Sequence, residues 1–144
     1  MILIDTNLLI YAHDDASPFH DRAKEWLHSV LSGTTAVRLT WSTIHGFLRL
    51  TTQRALFRTP FTPDEATEIV ASWFGQSVVR ILDPGDLYWL ILRDLLSHHN
   101  VRSSLVMDAH LAAIAIEHGA TLYTADRDFN RFEGLQVRNP LTEG

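Results

Sequence analysis

Cysteine is absent from all 144 residues, which excludes disulfides and thiolate metal sites. Lysine is almost as scarce. Lys24 is the single example, so the basic side chains are nearly all arginine. Arginine suits bidentate contacts with phosphate, and Arg38, Arg49, Arg54 and Arg58 fall close together, although each taken singly reads as a solvated surface charge. Long apolar runs are missing too. Histidine, aspartate and glutamate interrupt every apolar stretch before it reaches membrane-spanning length, so no membrane association is expected. The chain opens on an apolar run without a basic leader, from which a cytoplasmic protein is expected. Nor is there an excess of positive charge. The net charge of −5 argues against a general polyanion binder, but affinity for phosphate follows local patches rather than the total.

What is present is the composition of an ordinary globule, 46% hydrophobic and 20% charged, at a length that suits one domain spanning 1–144. Met1–Ile4, Ala36–Thr40, Val78–Leu82, Thr121–Thr124 and Leu135–Val137 read as short strands. Between them lie segments of helical period: 7–12, Phe19–Leu31, a stretch from Ser42 or Thr43 as cap to about Ala55, and a helix to Phe74. That last helix is announced by Thr62-Pro63-Asp64-Glu65, a capping box with proline at the first helical position. Asp83-Pro84 is expected to start the next helix, which runs to His98, and Val106–His118 forms another, stopped by Gly119. Strands alternating with helices predict an α/β fold, a three-layer α/β/α sandwich around a mainly parallel sheet.

Three acidic residues stand at the ends of these elements. Asp5 follows the first strand, Asp108 lies in the first turn of the apolar helix 106–118, and Asp126 follows the strand that ends at Thr124. Asp5 has the position of a helix N-cap, and also the position where ligands bind in open α/β sheets, outside the carboxyl ends of the strands. An ionised Asp108 among Leu111, Ala112, Ala115 and Ile116 is costly unless it is paired, hydrogen-bonded or bound to a metal. Asp126 and Asp128 flank Arg127 in a turn, a composition that turns favour in their own right. Carboxylates brought to one sheet edge by separate elements form a site for a hard cation such as Mg²⁺ or Mn²⁺, which suits phosphodiester chemistry. Asn7 and Thr124 offer polar groups beside them.

These motifs, IDTNLLIYA, FLRLTT, DAHLAAIAIEHGATLYTADRDF and the closing LQVRNPL, make the chain resemble, nearly end to end, the PIN-domain family of metal-dependent ribonucleases and in particular toxins of VapC type. The resemblance implies Mg²⁺- or Mn²⁺-dependent cleavage of RNA and inhibition by a cognate antitoxin. It assigns catalysis and metal binding to Asp5, Asp108 and Asp126, with Asp128, Asn7 and Thr124 in support and Arg49 as an RNA contact. A homodimer is expected as well, because Trp26, Trp41, Trp73, Trp89, Phe57 and Phe61 are many large apolar groups for a small core.

The chain departs from the family pattern in one place. The helix after the second strand usually carries a glutamate, and here His45 or Gly46 stands at about that position. Two other readings follow from the residues: a catalytically weakened binding module on the same fold, and an aspartyl phosphatase built on Asp5. The phosphatase requires a second acid two residues on, where this chain has Asn7.

Overall fold

The computed structural model describes residues 1–55 and 57–142; Leu56, Glu143 and Gly144 of the expected 1–144 domain lie outside them. In chain order the elements are β1 (Ile2–Ile4), α1 (Thr6–His13), α2 (His20–Leu31), β2 (Val37–Leu39), α3 (Trp41–Thr51), α4 (Pro63–Phe74), β3 (Val79–Ile81), α5 (Tyr88–His98), α6 (Leu105–His118), β4 (Thr121–Tyr123), a 3-10 turn (Arg127–Arg131) and β5 (Gln136–Arg138). The strands form one sheet in the order β3-β2-β1-β4-β5, and every pairing is parallel. The expected α/β/α sandwich is the observed architecture.

Side-chain alternation along β1 builds two cores. Ile2 and Ile4 face a cluster with Leu8 and Leu9 of α1, Leu27 of α2, Phe47 of α3 and Trp73 of α4. Leu3, pointing the other way, joins Leu122 of β4 with Leu95 of α5 and Ile114 of α6. In the first core Phe47 meets Trp73 edge-on at 4.8 Å between centroids, a favoured aromatic geometry. Helix α6 is apolar almost all round, with alanines 109, 112, 113 and 115 each fully enclosed. It ends at Gly119, whose φ of 67° is a left-handed value that glycine adopts without steric cost.

Two helix starts differ from expectation. Helix α3 is capped by Thr40, whose Oγ1 accepts from the Thr43 backbone N–H at 3.1 Å, and not by Ser42 or Thr43. Helix α5 starts at Tyr88 rather than at Asp83-Pro84. The backbone N–H groups of Gly85 and Leu87 donate to the two carboxylate oxygens of Glu117 on α6, at 2.7 and 2.8 Å. A side chain from a neighbouring helix thus satisfies donors that a local cap would otherwise take. Helix α4 has the expected capping box, with Thr62 and Glu65 exchanging bonds of 3.0 and 3.2 Å. Among the described residues no helix is long and apolar enough to cross a membrane.

Candidate active site

The chain leaves β1 in one direction along the sheet to β2 and β3, and in the other to β4 and β5. The carboxyl ends of β1 and β4 therefore flank the topological switch point, where adjacent connections diverge and leave a crevice. Asp5 follows β1 directly, and Thr124, Ala125 and Asp126 follow β4. The Asp5 N–H donates to the Tyr123 carbonyl at 3.0 Å, so the sheet ladder itself fixes where the aspartate emerges.

Asp5 combines both of its expected positions. Its Oδ1 caps α1 by accepting from the Thr6 N–H at 2.7 Å, and its Oδ2 accepts from the Thr124 hydroxyl at 2.7 Å and from Asn7 Nδ2 at 3.3 Å. Burial pushes the Asp5 carboxyl above its ordinary value and the nearby Asp126 pushes it further, against the opposing bonds from Thr124 and Thr6. Thr124, 1% exposed, is the hub of this network. Its oxygen also accepts from Asn7 Nδ2 at 3.2 Å and from the Asp126 N–H at 3.0 Å. Asn7 Oδ1 closes the ring by accepting from the Ala125 N–H at 3.3 Å.

Asp108 projects from the first turn of α6, half-buried. None of the hydrogen bonds among the described residues ends on its carboxylate. Its pKa is raised from 3.8 to about 6, first by desolvation and then by Asp126, Asp5 and Asp128, with Arg131 opposing. Asp126 caps the 3-10 turn, its Oδ1 accepting from the Asp128 N–H at 2.8 Å. That turn brings Asp128 back toward Asp126, and the Arg131 guanidinium lies 3.6 Å from the Asp128 carboxylate.

Asp108, Asp126 and Asp128 each place a carboxylate oxygen within 4.8 Å of the other two. An octahedral ion with bonds of about 2.1 Å puts its ligands ~3 to ~4 Å apart, a spacing close to that of these three carboxylates. Burial and neighbouring negative charge raise the Asp5 and Asp108 carboxyls, so ionising them is costly without a cation beside them, and an all-oxygen donor set suits Mg²⁺ or Mn²⁺. Asp128, expected only in support, is in the tight group. Asp5 is beside it, close enough to act on Asp108, with both oxygens already bonded inside the fold. The spacing Asp126-Arg127-Asp128 is the sequence signal for the added member, since an aspartate capping a turn accepts from the backbone N–H two residues on and so holds the pair together.

At the departure from the family pattern, His45 is exposed and is not among the residues that converge on the acidic cluster. Gly46 faces inward. A Cβ there would lie 3.1 Å from Thr6 Oγ1 and 3.2 Å from Thr6 Cγ2, so α3 crosses α1 at a distance that a side chain at 46 would widen. Arg49, one turn further along α3, is exposed and outside the cluster.

Comparison with known proteins adds an independent finding. Residues 2–135 match the model of the PIN domain. The ribonuclease VapC48 of Mycobacterium tuberculosis is 36% identical over 139 residues, which is 96% of each chain. Among solved structures, the chain is similar in fold to M. tuberculosis VapC20, described as a sarcin–ricin-loop-cleaving toxin, with a TM-score of 0.67 and 23% identity over 96% of this chain and 99% of that one. A toxin–antitoxin complex from Klebsiella pneumoniae gives a TM-score of 0.63 at 18% identity, over 97% and 98% of the two chains.

Proposed function

Because the chain belongs to the PIN-domain family, we propose that it is a metal-dependent endoribonuclease and the toxin of a toxin–antitoxin pair, acting in the cytoplasm, with residues 1–144 as one domain. The observation that carries this reading is the convergence of Asp108, Asp126 and Asp128 at the switch point of the sheet, with Asp5 alongside. A protein that only bound RNA would gain nothing from acids facing a polyanion.

In this reading Asp108, Asp126 and Asp128 hold a Mg²⁺ or Mn²⁺ ion, which when bound polarises the scissile phosphate and makes a coordinated water more acidic. Asp5 supplies the fourth negative charge, and its carboxylate is kept from rotating by Thr124, Asn7 and the Thr6 N–H. Thr124 ties β4 to α1 through the same bonds, so the distance between Asp5 and Asp126 is set by packed backbone and not by solvent. Such fixed placement of the charges is what catalysis requires of the protein.

Protein partners are part of the proposal. Trp89 and Leu90 on α5 are 59% and 51% exposed, next to Leu87 at 57%, and an apolar patch of this kind fits a homodimer or antitoxin contact. Light scattering on the purified chain reads the dimer directly; a monomer at all concentrations would remove that part.

The deciding experiment incubates the protein, freed of any partner, with total RNA and Mg²⁺ or Mn²⁺, in parallel with EDTA and with Asp108→Asn. Discrete cleavage that both treatments abolish is the expected result. Cleavage unaffected by Asp108→Asn, or none at all by the unaltered protein, would overturn the reading.

A further inference from the structure

Helix α6 is fastened along most of its length and loose at the end that carries Asp108. Ala109, Leu111, Ala112, Ala113, Ile114 and Ala115 are buried, and the Tyr88 hydroxyl is hydrogen-bonded to His110 Nδ1 at 2.5 Å, which ties the second turn to α5. Further on, Glu117 bonds the segment before α5. The first turn has no such ties. Val106 and Met107 are exposed. Ser104, at the N-cap, has helical dihedrals of φ −60° and ψ −25° and makes no side-chain bond to the turn it begins, so the usual capping contribution is missing. The Leu105 and Val106 N–H groups donate to the Arg102 and Ser103 carbonyls at 3.2 and 3.0 Å, the tighter span of a 3-10 turn. The connection from α5 is pinned only as far as Arg102. Asn100 has a positive φ of 49°, and the end of α5 accounts for it. The Val101 N–H returns to the Leu96 carbonyl at 3.1 Å, closing the helix on a left-handed residue as asparagine tolerates. Val101 is buried in the second core, and Arg102 Nε and Nη2 both donate to Asn100 Oδ1, at 3.3 and 3.2 Å. Ser103, with φ 54°, closes no helix, and its left-handed backbone is held at a steric cost.

We infer that Ser103 is a positioning residue, the hinge on which the first turn of α6 closes to bring the Asp108 carboxylate into the cation site; the inference rests on the cation-site reading above. The other acids are already held inside the fold. Asp126 accepts from the Asp128 N–H at 2.8 Å, Asp128 lies 3.6 Å from the Arg131 guanidinium, and Asp5 is bonded by Thr6, Thr124 and Asn7. Asp108 has no comparable tie and sits on the one turn of α6 that can shift without disturbing the second core. Adjustment of the acids to an ion therefore falls on residues 103–108. Without a cation this exposed, uncapped turn opens locally at small cost. With one held by Asp108, Asp126 and Asp128 the turn is closed, and residue 103 must keep its positive φ. Strain at position 103 thus opposes cation binding and hardly affects folding.

Calorimetric titration with Mn²⁺, amide hydrogen exchange and thermal melts in EDTA, all on the full chain, test this. In the unaltered protein Mn²⁺ should slow exchange at residues 105–108 and leave residues 114–117 unchanged. Ser103→Val places a β-branched side chain where φ is positive; it should weaken Mn²⁺ binding about 10-fold with the melting temperature in EDTA nearly unchanged. Ser103→Gly adopts the same backbone freely and should bind within about 3-fold of the unaltered protein. A lower melting temperature for Ser103→Val with unchanged Mn²⁺ affinity would show that the first turn is a fixed part of the fold, and would overturn the hinge. Exchange at residues 105–108 that bound Mn²⁺ does not slow would overturn it as well. Both results leave the cation site standing. Equal Mn²⁺ affinity in the unaltered protein and in Asp108→Asn would instead remove Asp108 from the cation site, and the hinge with it.

Discussion

Removing the charge of Asp108 should make the metal-free protein more stable while abolishing its activity. The carboxyl's pKa lies near 6 instead of 3.8, chiefly through desolvation and then through Asp126, Asp5 and Asp128. At ~1.4 kcal/mol per tenfold change in ionisation, that gap amounts to about 3 kcal/mol at most. Asp108 keeps part of its surface in water, and screening reduces the figure to about 1 kcal/mol. The sign follows from proton binding. Between pH 4 and 6 the folded state holds a proton on Asp108 that the unfolded state has released, so stability falls as pH rises through this window, and the loss is complete above the folded-state pKa. Asparagine keeps the shape and carries no charge at any pH.

In EDTA at pH 8, Asp108→Asn should therefore melt about 2–4 °C above the unaltered protein, and at pH 4 the two should nearly coincide. Added Mg²⁺ or Mn²⁺ should reverse the order. The unaltered site gains about 2.7 kcal/mol at a metal concentration one hundred times its Kd, and the variant gains little. Scanning calorimetry in a grid of pH and metal reads all of this. An Asn variant less stable than the parent at pH 8 without metal, or equally stabilised by metal, would refute both the repulsion argument and the place of Asp108 in the cation site.

Three other substitutions test the framework around the site. Thr124→Val keeps the volume but removes the hydroxyl that donates to Asp5 and accepts from Asn7 and Asp126; it should cost about 2–3 kcal/mol in urea unfolding, and a cost below ~0.5 kcal/mol would show the network to be incidental. Gly46→Ala sets a helix-propensity gain of about 1 kcal/mol against a Cβ 3.1 Å from Thr6 Oγ1, with overpacking worth ~1–3 kcal/mol; net destabilisation that Thr6→Ser partly relieves is expected, and a gain of the full propensity term would mean that α1 and α3 separate freely. Glu117→Gln keeps one acceptor for the two N–H groups ahead of α5, so hydrogen exchange should quicken at Gly85 and Leu87 with a loss of about 1 kcal/mol; unchanged protection there would reject the capping role.

Much of the molecule was legible along the chain because its cues are local. The capping box at Thr62, the stop at Gly119, the five short apolar runs and the order of strands and helices depend on backbone chemistry within a few residues, and together they imply a parallel sheet with helices on both faces. Asp5, Asp108 and Asp126 were visible for a related reason: each sits at the end of an element, and parallel strands with helical crossovers carry their carboxyl ends to one edge. The helix starts were less legible where a distant partner acts. Nothing near Asp83 announces that Glu117 will bond the segment before α5, and Thr40, directly after β2, took the capping role from Ser42 and Thr43.

What only the tertiary structure decided is which acids stand together and what faces them. The sequence by itself determined that carboxylates would gather at the sheet edge, because the strand and helix ends that carry them are set by local pattern. It did not determine that Asp128 would join Asp108 and Asp126 within 4.8 Å while Asp5 would spend its oxygens on Thr6, Thr124 and Asn7. That division depends on side-chain distances between β1, β4 and α6, elements more than one hundred residues apart in the case of Asp5 and Thr124. Position 46 makes the same point. Along the chain Gly46 is only a missing glutamate, whereas in the fold it is the contact point of α3 with Thr6, because helix crossing distance is a property of packed surfaces and is not encoded in either helix alone.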